Sequence, residues 1–521
     1  MGAFENLYVH ESLALHAQNA PGSNAVTGTN GSYTYAQLYS AACDVANRVA
    51  PEIDPGRRSV AISMAKSPMA VAALYGVLLS GGCYVPIDPE LPRERIDYIL
   101  QEGKVSSLIV SSKNSRAAES ALSLGIDVVV LDERIFSSSA ASVVLPAVDD
   151  ESRAAILFTS GSTGMPKGAV ITHGNLRTFV EWAVTKFAIT SEDRLVSHAP
   201  LNFDLSFFDI FAPVTAGASV VLTPAEKAGN GQLLLNFIRE QRITVWQSVP
   251  SALGLIAEAA DRDAQGVSPY VRAVLFAGER MPVPRLKKLM SIFPAARHYN
   301  IYGCTESNNT FIYDVPLDTT AIPDPLPIGA PLAYVDYKLL DENGKDVVDG
   351  APGILWVAAP TLMEGYLDEN ATAAVIRVMT GRDGVKRRFY LTKDTVQRNS
   401  KGEFEFIGRI DFVIKANGFR INLQEIEDKL SDYGKVDEVG VIALADDVVG
   451  NKILALIKPA DGESLDSLEM KIYCGKRLPK YMIPNFFQFT TNPLPKNTNG
   501  KVDKKALQRS YALQRQSAHT Y

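Results

Sequence analysis

Short apolar runs rich in β-branched residues alternate along most of the chain with stretches long enough to form helices. Runs of this kind lie at 59–64, 106–110, 127–131, 243–248 and 273–278. Such alternation is typical of β-α-β units, in which mainly parallel strands are covered by helices. Several runs are almost continuously apolar, as expected for strands buried on both faces of a sheet. The pattern therefore predicts an α/β fold with layered, mainly parallel sheets.

The pattern changes after about residue 400. Residues 402–419 alternate like a β-hairpin around an Asn-Gly turn, and residues 423–433 have the spacing of a short amphipathic helix. Further short apolar runs and a helix-like segment follow. We therefore predict two domains: a large N-terminal α/β core over 1–410 and a small C-terminal α+β domain over 411–521.

Composition narrows the range of partners. The chain has 521 residues, 46% of them hydrophobic, which is enough for a large core. Its net charge of −6 gives no reason to expect nucleic acid as a partner. The four cysteines lack metal-ligand spacing and are expected to be reduced thiols.

Nothing in the sequence predicts a membrane segment or a secretory signal. The N-terminus has no basic stretch followed by an apolar block. The most membrane-like run, 69–87, is broken by Gly81, Gly82 and Pro86, so it is expected to be a buried helix followed by a strand. We expect a cytoplasmic protein that does not bind membranes.

A loop with phosphate-binding chemistry follows the apolar strand that ends near residue 158. Its hydroxyls, glycines and lysine are Thr159, Ser160, Gly161, Ser162, Thr163, Gly164 and Lys167. Glycines let backbone N–H groups approach an anion, hydroxyls add donors and lysine adds a charge. An ordinary flexible loop is the alternative. The preceding strand and the helix-like stretch 173–184 favour phosphate binding, although Gly168 stands where the usual P-loop has serine or threonine.

Residues 157–173 resemble the signature loop of the adenylate-forming superfamily, which includes acyl- and aryl-CoA synthetases, luciferases and the adenylation domains of nonribosomal peptide synthetases. The other motifs of this superfamily follow in its order, at 33–38, 81–92, 202–211, 300–308, 353–366, 390–394, 408–427, 478–484 and 494–507. The resemblance implies an AMP-forming ligase whose C-terminal domain is a mobile lid hinged at Asp411.

The resemblance also implies ATP and Mg²⁺ as cofactors. Glu306 corresponds to the magnesium ligand, in keeping with the preference of this hard cation for carboxylate oxygens. Tyr302 corresponds to the aromatic residue that packs on adenine, and Asp394 to the acceptor for the ribose hydroxyls. The remaining implied nucleotide contacts are Gly278, Asn300, Thr305 and Arg409. Lys393 stands where relatives more often have glycine.

Lys501 matches the catalytic lysine of the superfamily. When a carboxylate attacks the α-phosphorus, negative charge builds on the oxygens of both groups, and an ammonium between them stabilises the transition state. The alternative is that Lys501 is one of several exposed basic residues with Lys504 and Lys505. After the adenylate forms, the lid is expected to rotate at Asp411 and to bring the turn near Gly418 to the site.

Asp204 falls where amino-acid-activating members hold the substrate ammonium, because a buried carboxylate facing an ammonium is favoured over an unpaired one. Its alternative role is as a helix N-cap. Phe203 corresponds to the aromatic residue beside the substrate carboxylate. The other implied pocket positions are Leu205, Phe208, Gln247, Leu275, Ala277, Ile301, Asn309 and Thr310. Phe208 and Ile301 narrow the pocket, so proline is the first expected substrate and a small or polar amino acid the second.

The sequence thus predicts an amino acid:carrier-protein ligase that loads the phosphopantetheine thiol of a separate carrier protein, since the chain has no room for a fused one. Two alternatives remain. An acyl-CoA synthetase for a non-amino acid would not need Asp204. A non-catalytic binding module would be expected to lack Lys501, Glu306 or Asp394, and all three are present.

Overall fold

The computed structural model describes residues 6–49, 59–137, 143–144, 147–159, 165–260, 268–411, 413–416, 418–446, 450–496, 502–504 and 506–511. The chain divides into two compact units. Unit 1 comprises Met1–Pro89, Ile96–Phe158 and Lys167–Ile410, and unit 2 comprises Glu90–Arg95, Thr159–Pro166 and Asp411–Tyr521. Among the helices described, none is both apolar enough and long enough to span a bilayer.

The helices of the described residues are short to medium in length. They are α1 (Val9–Asn19), α2 (Tyr35–Arg48), α3 (Pro68–Leu79), α4 (Arg93–Glu102), α5 (Arg116–Ser123), α6 (His173–Lys186), α7 (Leu205–Thr215), α8 (Ala225–Ala228), α9 (Gly231–Glu240), α10 (Pro250–Ala260), α11 (Val283–Ile292), α12 (Glu369–Ala373), α13 (Leu423–Ser431) and α14 (Ser467–Gly475).

The strands alternate with these helices through the first 300 residues and then follow one another directly. They are β1 (Asn24–Gly28), β2 (Gly31–Thr34), β3 (Ser59–Ser63), β4 (Cys83–Pro86), β5 (Val105–Val110), β6 (Asp127–Val130), β7 (Arg153–Thr159), β8 (Lys167–Thr172), β9 (Arg194–Ser197), β10 (Ser219–Leu222), β11 (Val245–Ser248), β12 (Ala273–Ala277), β13 (Arg297–Cys304), β14 (Asn308–Asp314), β15 (Ala330–Pro331), β16 (Asp336–Leu340), β17 (Gly353–Ala358), β18 (Gly365–Tyr366), β19 (Ile376–Thr380), β20 (Lys386–Arg398), β21 (Phe404–Arg409), β22 (Val413–Ala416), β23 (Phe419–Asn422), β24 (Val436–Asp446), β25 (Gly450–Pro459) and β26 (Phe486–Phe489).

Two large sheets of unit 1 are mainly parallel, as the sequence predicted. The strands described for the first run in the order β15-β14-β13-β12-β11-β9-β10-β1-β2, and those of the second in the order β18-β8-β7-β4-β3-β5-β6. Strands β9 to β13 are parallel neighbours in the first sheet, as are β3, β4, β5 and β6 in the second. The run 69–87 forms most of α3 and all of β4, which confirms its assignment as a buried helix followed by a strand.

Local sequence signals fix several helix starts. Thr34 accepts a hydrogen bond from the backbone N–H of Gln37, whose side chain accepts one from Thr34 N–H at 2.9 Å, a capping box that starts α2. α3 starts with Pro68 after the capping residue Ser67. Such caps satisfy donors that the first turn of a helix leaves unpaired.

The core of unit 1 is densest around α3 and α7, which are buried along almost their whole length. The ring of Tyr75 on α3 lies edge-on to that of Phe211 on α7, with centroids 5.5 Å apart. α3 also packs closely on α2, since a Cβ added at Gly76 would lie 2.5 Å from the Cβ of Val45. The helix that follows Asp204 therefore packs on the buried helix α3.

A third sheet of unit 1 was not expected from the sequence. Its described strands β16-β17-β20-β19, with β21 on β20, are all antiparallel. Glycines with positive φ lie in its turns: Gly344 at 79°, Gly384 at 82° and Gly402 at 81°. A left-handed conformation is accessible to glycine without a steric penalty. These turns give the chain its short antiparallel connections.

Unit 2 contains the α+β elements predicted for the C-terminal region. β22 and β23 form a hairpin at the predicted turn, where Gly418 has a φ of 81°. Residues 404–409, the first part of the predicted hairpin, instead form β21, which pairs with β20 in unit 1. α13 begins directly after it. β24 and β25 pair antiparallel, and β26 joins β25 in parallel. The core of this unit includes Ile421, Ile426 and Ile453, each at most 2% exposed.

Strand β20 carries a bulge at the position where the sequence departs from its relatives. Ile354 and Trp356 of β17 pair with Thr395 and Leu391 of β20, so β20 has the longer path. Within the bulge, Lys393 has a φ of 64°, in the left-handed region. This conformation costs a residue with a Cβ about 1–2 kcal/mol. The glycine common in relatives would avoid that cost.

Substitution at Lys393 tests this strain. We expect Lys393→Gly to be more stable than Lys393→Val by at least about 1 kcal/mol, because a β-branched residue at positive φ is strongly disfavoured. Both variants lose the lysine side chain, so their difference reports on the backbone. Urea unfolding followed by fluorescence measures it. A valine variant as stable as the glycine variant would contradict the assignment.

Candidate functional site

A buried carboxylate, Asp394, joins two sheets of unit 1. It lies on β20, is 5% exposed and forms an ion pair with Arg409, its register partner on β21. The hydroxyl of Tyr302, on β13 of the first sheet, donates to the other carboxylate oxygen at 2.5 Å. Burial, and then the charge of Asp394, raise the pKa of Tyr302 well above its usual value, so its hydroxyl remains a donor.

The bulge in β20 directs Asp394 into this cluster. Thr392 donates to the carbonyl of Leu355 at 2.8 Å, and its hydroxyl oxygen accepts the backbone N–H of Asp394 at 3.1 Å. Bulges commonly redirect a side chain beside a functional site. Three residues predicted to contact the nucleotide, Tyr302, Asp394 and Arg409, are thus brought into direct contact.

Three other predicted nucleotide residues lie on or beside β12 and β13. Asn300, on β13, is buried and donates to the carbonyl of Pro327 at 2.7 Å. Gly278 directly follows β12 and has a φ of 89°. Thr305 directly follows β13 and is half-buried. The strand pairing of β12 and β13 places Asn300 opposite Phe276, two residues before Gly278.

A second buried carboxylate, Glu306, lies just after β13. It is fully buried, and the hydroxyl of Tyr366 donates to its Oε1 at 2.6 Å. The ammonium of Lys167 lies 5.6 Å from the centroid of the Tyr366 ring, within the range of a cation–π contact. Tyr366 therefore links the predicted magnesium ligand to the predicted phosphate-binding lysine.

The donor set at Glu306 fits Mg²⁺ held mainly by phosphates and water. Among the described residues, no group of three or more histidine, cysteine, aspartate or glutamate side chains could hold a metal ion. A single carboxylate is the usual protein contribution to magnesium that bridges nucleotide phosphates.

The predicted amino-acid pocket is drawn from α7 and four neighbouring strands. Gln247 on β11 is the register partner of Leu275 on β12, and Ala277 on β12 is that of Ile301 on β13. Parallel strands end at the same edge of a sheet, so these side chains belong to one edge. Six of the predicted pocket positions are buried: Phe208, Gln247, Leu275, Ala277, Ile301 and Thr310. The other four are half-buried: Phe203, Asp204, Leu205 and Asn309.

Two of the polar pocket residues already bind backbone carbonyls. The amide of Gln247 donates to the carbonyl of Leu205 at 3.2 Å, and the hydroxyl of Thr310 donates to that of Tyr302 at 3.3 Å. Phe208 packs edge-on against Phe187, with ring centroids 5.7 Å apart. These contacts join Gln247 and Thr310 to the backbone of neighbouring elements.

Asp204 directly precedes α7 and occupies its N-cap position. In the described structure its side chain makes no capping hydrogen bond, and its backbone is helical, with φ −61° and ψ −25°. A capping aspartate normally has an extended backbone and accepts from the N–H of the second or third helical residue. The N-cap alternative therefore does not account for an aspartate here.

The remaining predicted residues belong to unit 2 or lie outside the described residues. Thr159 ends β7 and is assigned to unit 2. Asp411 begins the main segment of that unit, and its carboxylate accepts from Val413 N–H at 3.4 Å. Ser160, Gly161, Ser162, Thr163, Gly164 and Lys501 lie outside the described residues.

Sequence reasoning missed two side chains. Tyr366, which contacts both Glu306 and Lys167, is the last residue of the motif at 353–366. A tyrosine hydroxyl in a family motif could have indicated a role in the site. Lys66 lies outside these motifs, and its ammonium donates to backbone carbonyls at 197–199. Nothing in the sequence distinguishes Lys66 from a surface lysine.

Comparison with known proteins agrees with this geometry. The AMP-binding enzyme family matches residues 13–367, and the AMP-binding enzyme C-terminal domain matches residues 425–501. The chain is 31% identical to an L-proline–[L-prolyl-carrier protein] ligase of Pseudomonas fluorescens, over 96% of this chain and 99% of that protein. It is 33% identical to bacitracin synthase 1 of Bacillus licheniformis, over 96% of this chain but only 9% of that protein.

A solved structure shares the fold. NpsA-ThdA, an artificially fused adenylation–PCP di-domain nonribosomal peptide synthetase from Klebsiella oxytoca, superposes with a TM-score of 0.79 at 21% identity, over 92% of this chain and 93% of that one. The family match covers well over half of the chain and includes Tyr302, Glu306 and Tyr366. The chain therefore belongs to the family of AMP-binding enzymes, with the fold of the adenylate-forming superfamily whose motifs its sequence carries.

Proposed function

We propose that the protein activates an amino acid with ATP, forming aminoacyl-AMP and pyrophosphate, and then transfers the aminoacyl group to the phosphopantetheine thiol of a separate carrier protein. The observation that carries this proposal is the arrangement at the edge of the first sheet. Asp204 precedes α7, and the pocket wall beside it is tied to Gln247 on β11 through the carbonyl of Leu205. A carboxylate at the mouth of a largely apolar pocket suits an ammonium next to a small side chain.

ATP is assigned to the cluster around Asp394. Asp394 accepts the ribose hydroxyls, Arg409 adds a ribose or phosphate contact, and Tyr302 packs on adenine. Lys167 and the loop before it bind the phosphates. Glu306 would hold Mg²⁺, which would supply positive charge next to the phosphates. Support comes from the direct contacts among Tyr302, Asp394 and Arg409 and from the link between Glu306 and Lys167 through Tyr366.

Proline is the favoured substrate, and a small or polar amino acid is the second choice. The relative from Pseudomonas fluorescens is named for proline loading. Gln247 and Thr310 each donate to a backbone carbonyl, and the apolar side chains of Leu275 and Ala277 beside them suit a compact side chain. Phe208 and Ile301 are each at most 2% exposed and limit the size of the pocket.

Residues 411–521 are assigned as a mobile lid hinged at Asp411, with 1–410 as the core domain. In the adenylation step the lid supplies Lys501. In the transfer step it brings the turn around Gly418 to the site instead. The positive φ of Gly418 and the division of the chain between Ile410 and Asp411 support this assignment.

Pyrophosphate exchange across a panel of amino, fatty and aryl acids tests the reaction. We expect exchange with proline or another compact amino acid and none with fatty or aryl acids. Asp204→Ala should lower kcat/KM for the amino acid at least about 100-fold, because removing one partner of a buried charge pair costs about 3–5 kcal/mol.

The matched control is Asp346→Ala, which removes an exposed aspartate paired with Lys338 on β16 and should leave exchange unchanged. Exchange that depends on a non-amino acid and survives Asp204→Ala would instead identify an acyl-CoA synthetase. Absence of exchange with every acid would support a binding module without activity.

Lys501→Ala separates catalysis from nucleotide binding. We expect the exchange rate to fall at least about 100-fold, as for loss of one preorganised electrostatic contact to a transition state. Binding of ATP, measured by calorimetry, should change little. Lys452→Ala, which removes a lysine paired with Asp446 in the same unit, is the control. Full exchange in Lys501→Ala would overturn the role assigned to this residue.

A further inference from the structure

Lys66 places its ammonium among three successive backbone carbonyls. It lies between β3 and α3, and Nζ donates to the carbonyls of Ser197 at 2.7 Å, His198 at 2.9 Å and Ala199 at 3.2 Å. An ammonium has three N–H donors, and here all three point at one short segment. The arrangement resembles a cation site built from carbonyl oxygens, in which the lysine ammonium takes the place of a metal ion.

Two other ionisable side chains, Asp209 and His198, interact electrostatically with Lys66, which is itself half-buried. Burial lowers the pKa of Lys66, and the charge of Asp209 opposes that shift. Asp209 is 0% exposed; burial raises its pKa, and the charge of Lys66 opposes that shift. Burial, and then the charge of Lys66, lower the pKa of His198 to about 3, so this imidazole stays neutral. Lys66 and Asp209 therefore each favour the charged form of the other.

Residues 197–199, whose carbonyls bind Lys66, lead directly into the predicted amino-acid site. Ser197 is the last residue of β9, and the chain runs from Ala199 through Pro200 to Phe203 and Asp204. Asp209 lies on α7, the helix that Asp204 precedes. Lys66 therefore interacts with the backbone before Asp204 and with a charge on the helix after it.

Two further side chains, Ser206 and Gln247, bind the backbone between residues 199 and 206. The hydroxyl of Ser206 donates to the carbonyls of Leu201 at 3.1 Å and Phe203 at 2.5 Å. The amide of Gln247 holds the carbonyl of Leu205. These contacts hold the backbone of residues 197–206 at several points, and Lys66 holds the first of them.

We propose that Lys66 is a positioning residue for the amino-acid site: its ammonium acts as a built-in cation that fixes residues 197–204 and thereby the placement of Phe203 and Asp204. This inference rests on the proposed role of Asp204 in binding the substrate ammonium. A small displacement of a binding carboxylate is enough to lose much of a substrate interaction. Lys66 itself does not touch the substrate.

The first test compares the KM for the amino acid with the KM for ATP in pyrophosphate exchange. Lys66→Met keeps the aliphatic stem and removes the charge. We expect KM for the amino acid to rise at least about tenfold, since the carbonyls at 197–199 lose a charged donor, while KM for ATP changes less than about threefold. Lys338→Met, which removes a lysine from the ion pair with Asp346 in the same unit, should change neither.

Equal changes in both KM values, or no change in either, would overturn the proposal. Lys66→Arg covers the case in which Lys66→Met does not fold, because it keeps the charge but its planar fork cannot match three carbonyls arranged around one nitrogen. It too should raise KM for the amino acid selectively.

Chemical rescue distinguishes positioning from general stability. In Lys66→Ala, methylammonium chloride should lower KM for the amino acid, whereas choline chloride at the same ionic strength should not, because choline has no N–H donors. If KM for the amino acid in a folded Lys66→Ala variant does not fall with methylammonium, the proposed role of Lys66 as a built-in cation is contradicted.

Hydrogen–deuterium exchange of Lys66→Met against wild type gives a readout that needs no activity. Peptides covering 197–206 should exchange faster in the variant, and peptides from the third sheet should not. Unchanged exchange at 197–206 would overturn the inference. If wild type lacks pyrophosphate exchange with every amino acid, the proposed function fails, and the deuterium result still decides whether Lys66 fixes this segment.

Discussion

Asp394 is a buried carboxylate, and such a group is stable only when opposite charge and hydrogen-bond donors compensate for the loss of water. One of its partners, Tyr302, is far away in the chain. Tyr302 lies on the first sheet of unit 1, whereas Asp394 and Arg409 lie on adjacent strands of the third. Leaving this charge unpaired would cost about 3–5 kcal/mol. The pairing therefore requires the two sheets to meet at this point, and it places three motif residues together.

The same principle operates at two other places in unit 1. Glu306 follows β13 of the first sheet, and its partner Tyr366 lies on β18 of the second. Lys66 follows β3 of the second sheet and binds carbonyls at the end of β9 in the first. Buried polar contacts thus join the sheets at strand ends, while α3 and α7 contribute many apolar side chains to the core of the unit. Stability and the arrangement of the site depend on the same contacts.

Much of the fold could be read from the sequence, because apolar periodicity reports directly on burial. The runs at 243–248 and 273–278 contain the parallel strands β11 and β12, and the Asn-Gly turn marks the hairpin of β22 and β23. The third sheet was missed although Gly344, Gly384 and Gly402 mark its turns. Those glycines were visible, but glycines also mark ordinary loops and do not show which strands pair.

The candidate site was predictable only where the chemistry is carried by motifs. Tyr302, Asp394 and Arg409 were identified through the family resemblance, and they are in contact. Lys66 was not identified, because its partners are backbone carbonyls, which every sequence contains. The engagement of Gln247 and Thr310 by carbonyls was also unpredictable, since residue type does not reveal which partner a donor selects. Tertiary structure alone decides such pairings.

The central claim is that the cluster around Asp394 is a nucleotide site, and titration calorimetry of Mg·ATP into the purified full chain tests it most directly. Wild type is predicted to bind Mg·ATP with a measurable heat and one-to-one stoichiometry. Asp394→Asn should bind at least about tenfold more weakly, because it loses a charged acceptor. Absence of binding in wild type, or equal affinity in the two proteins, would contradict the account.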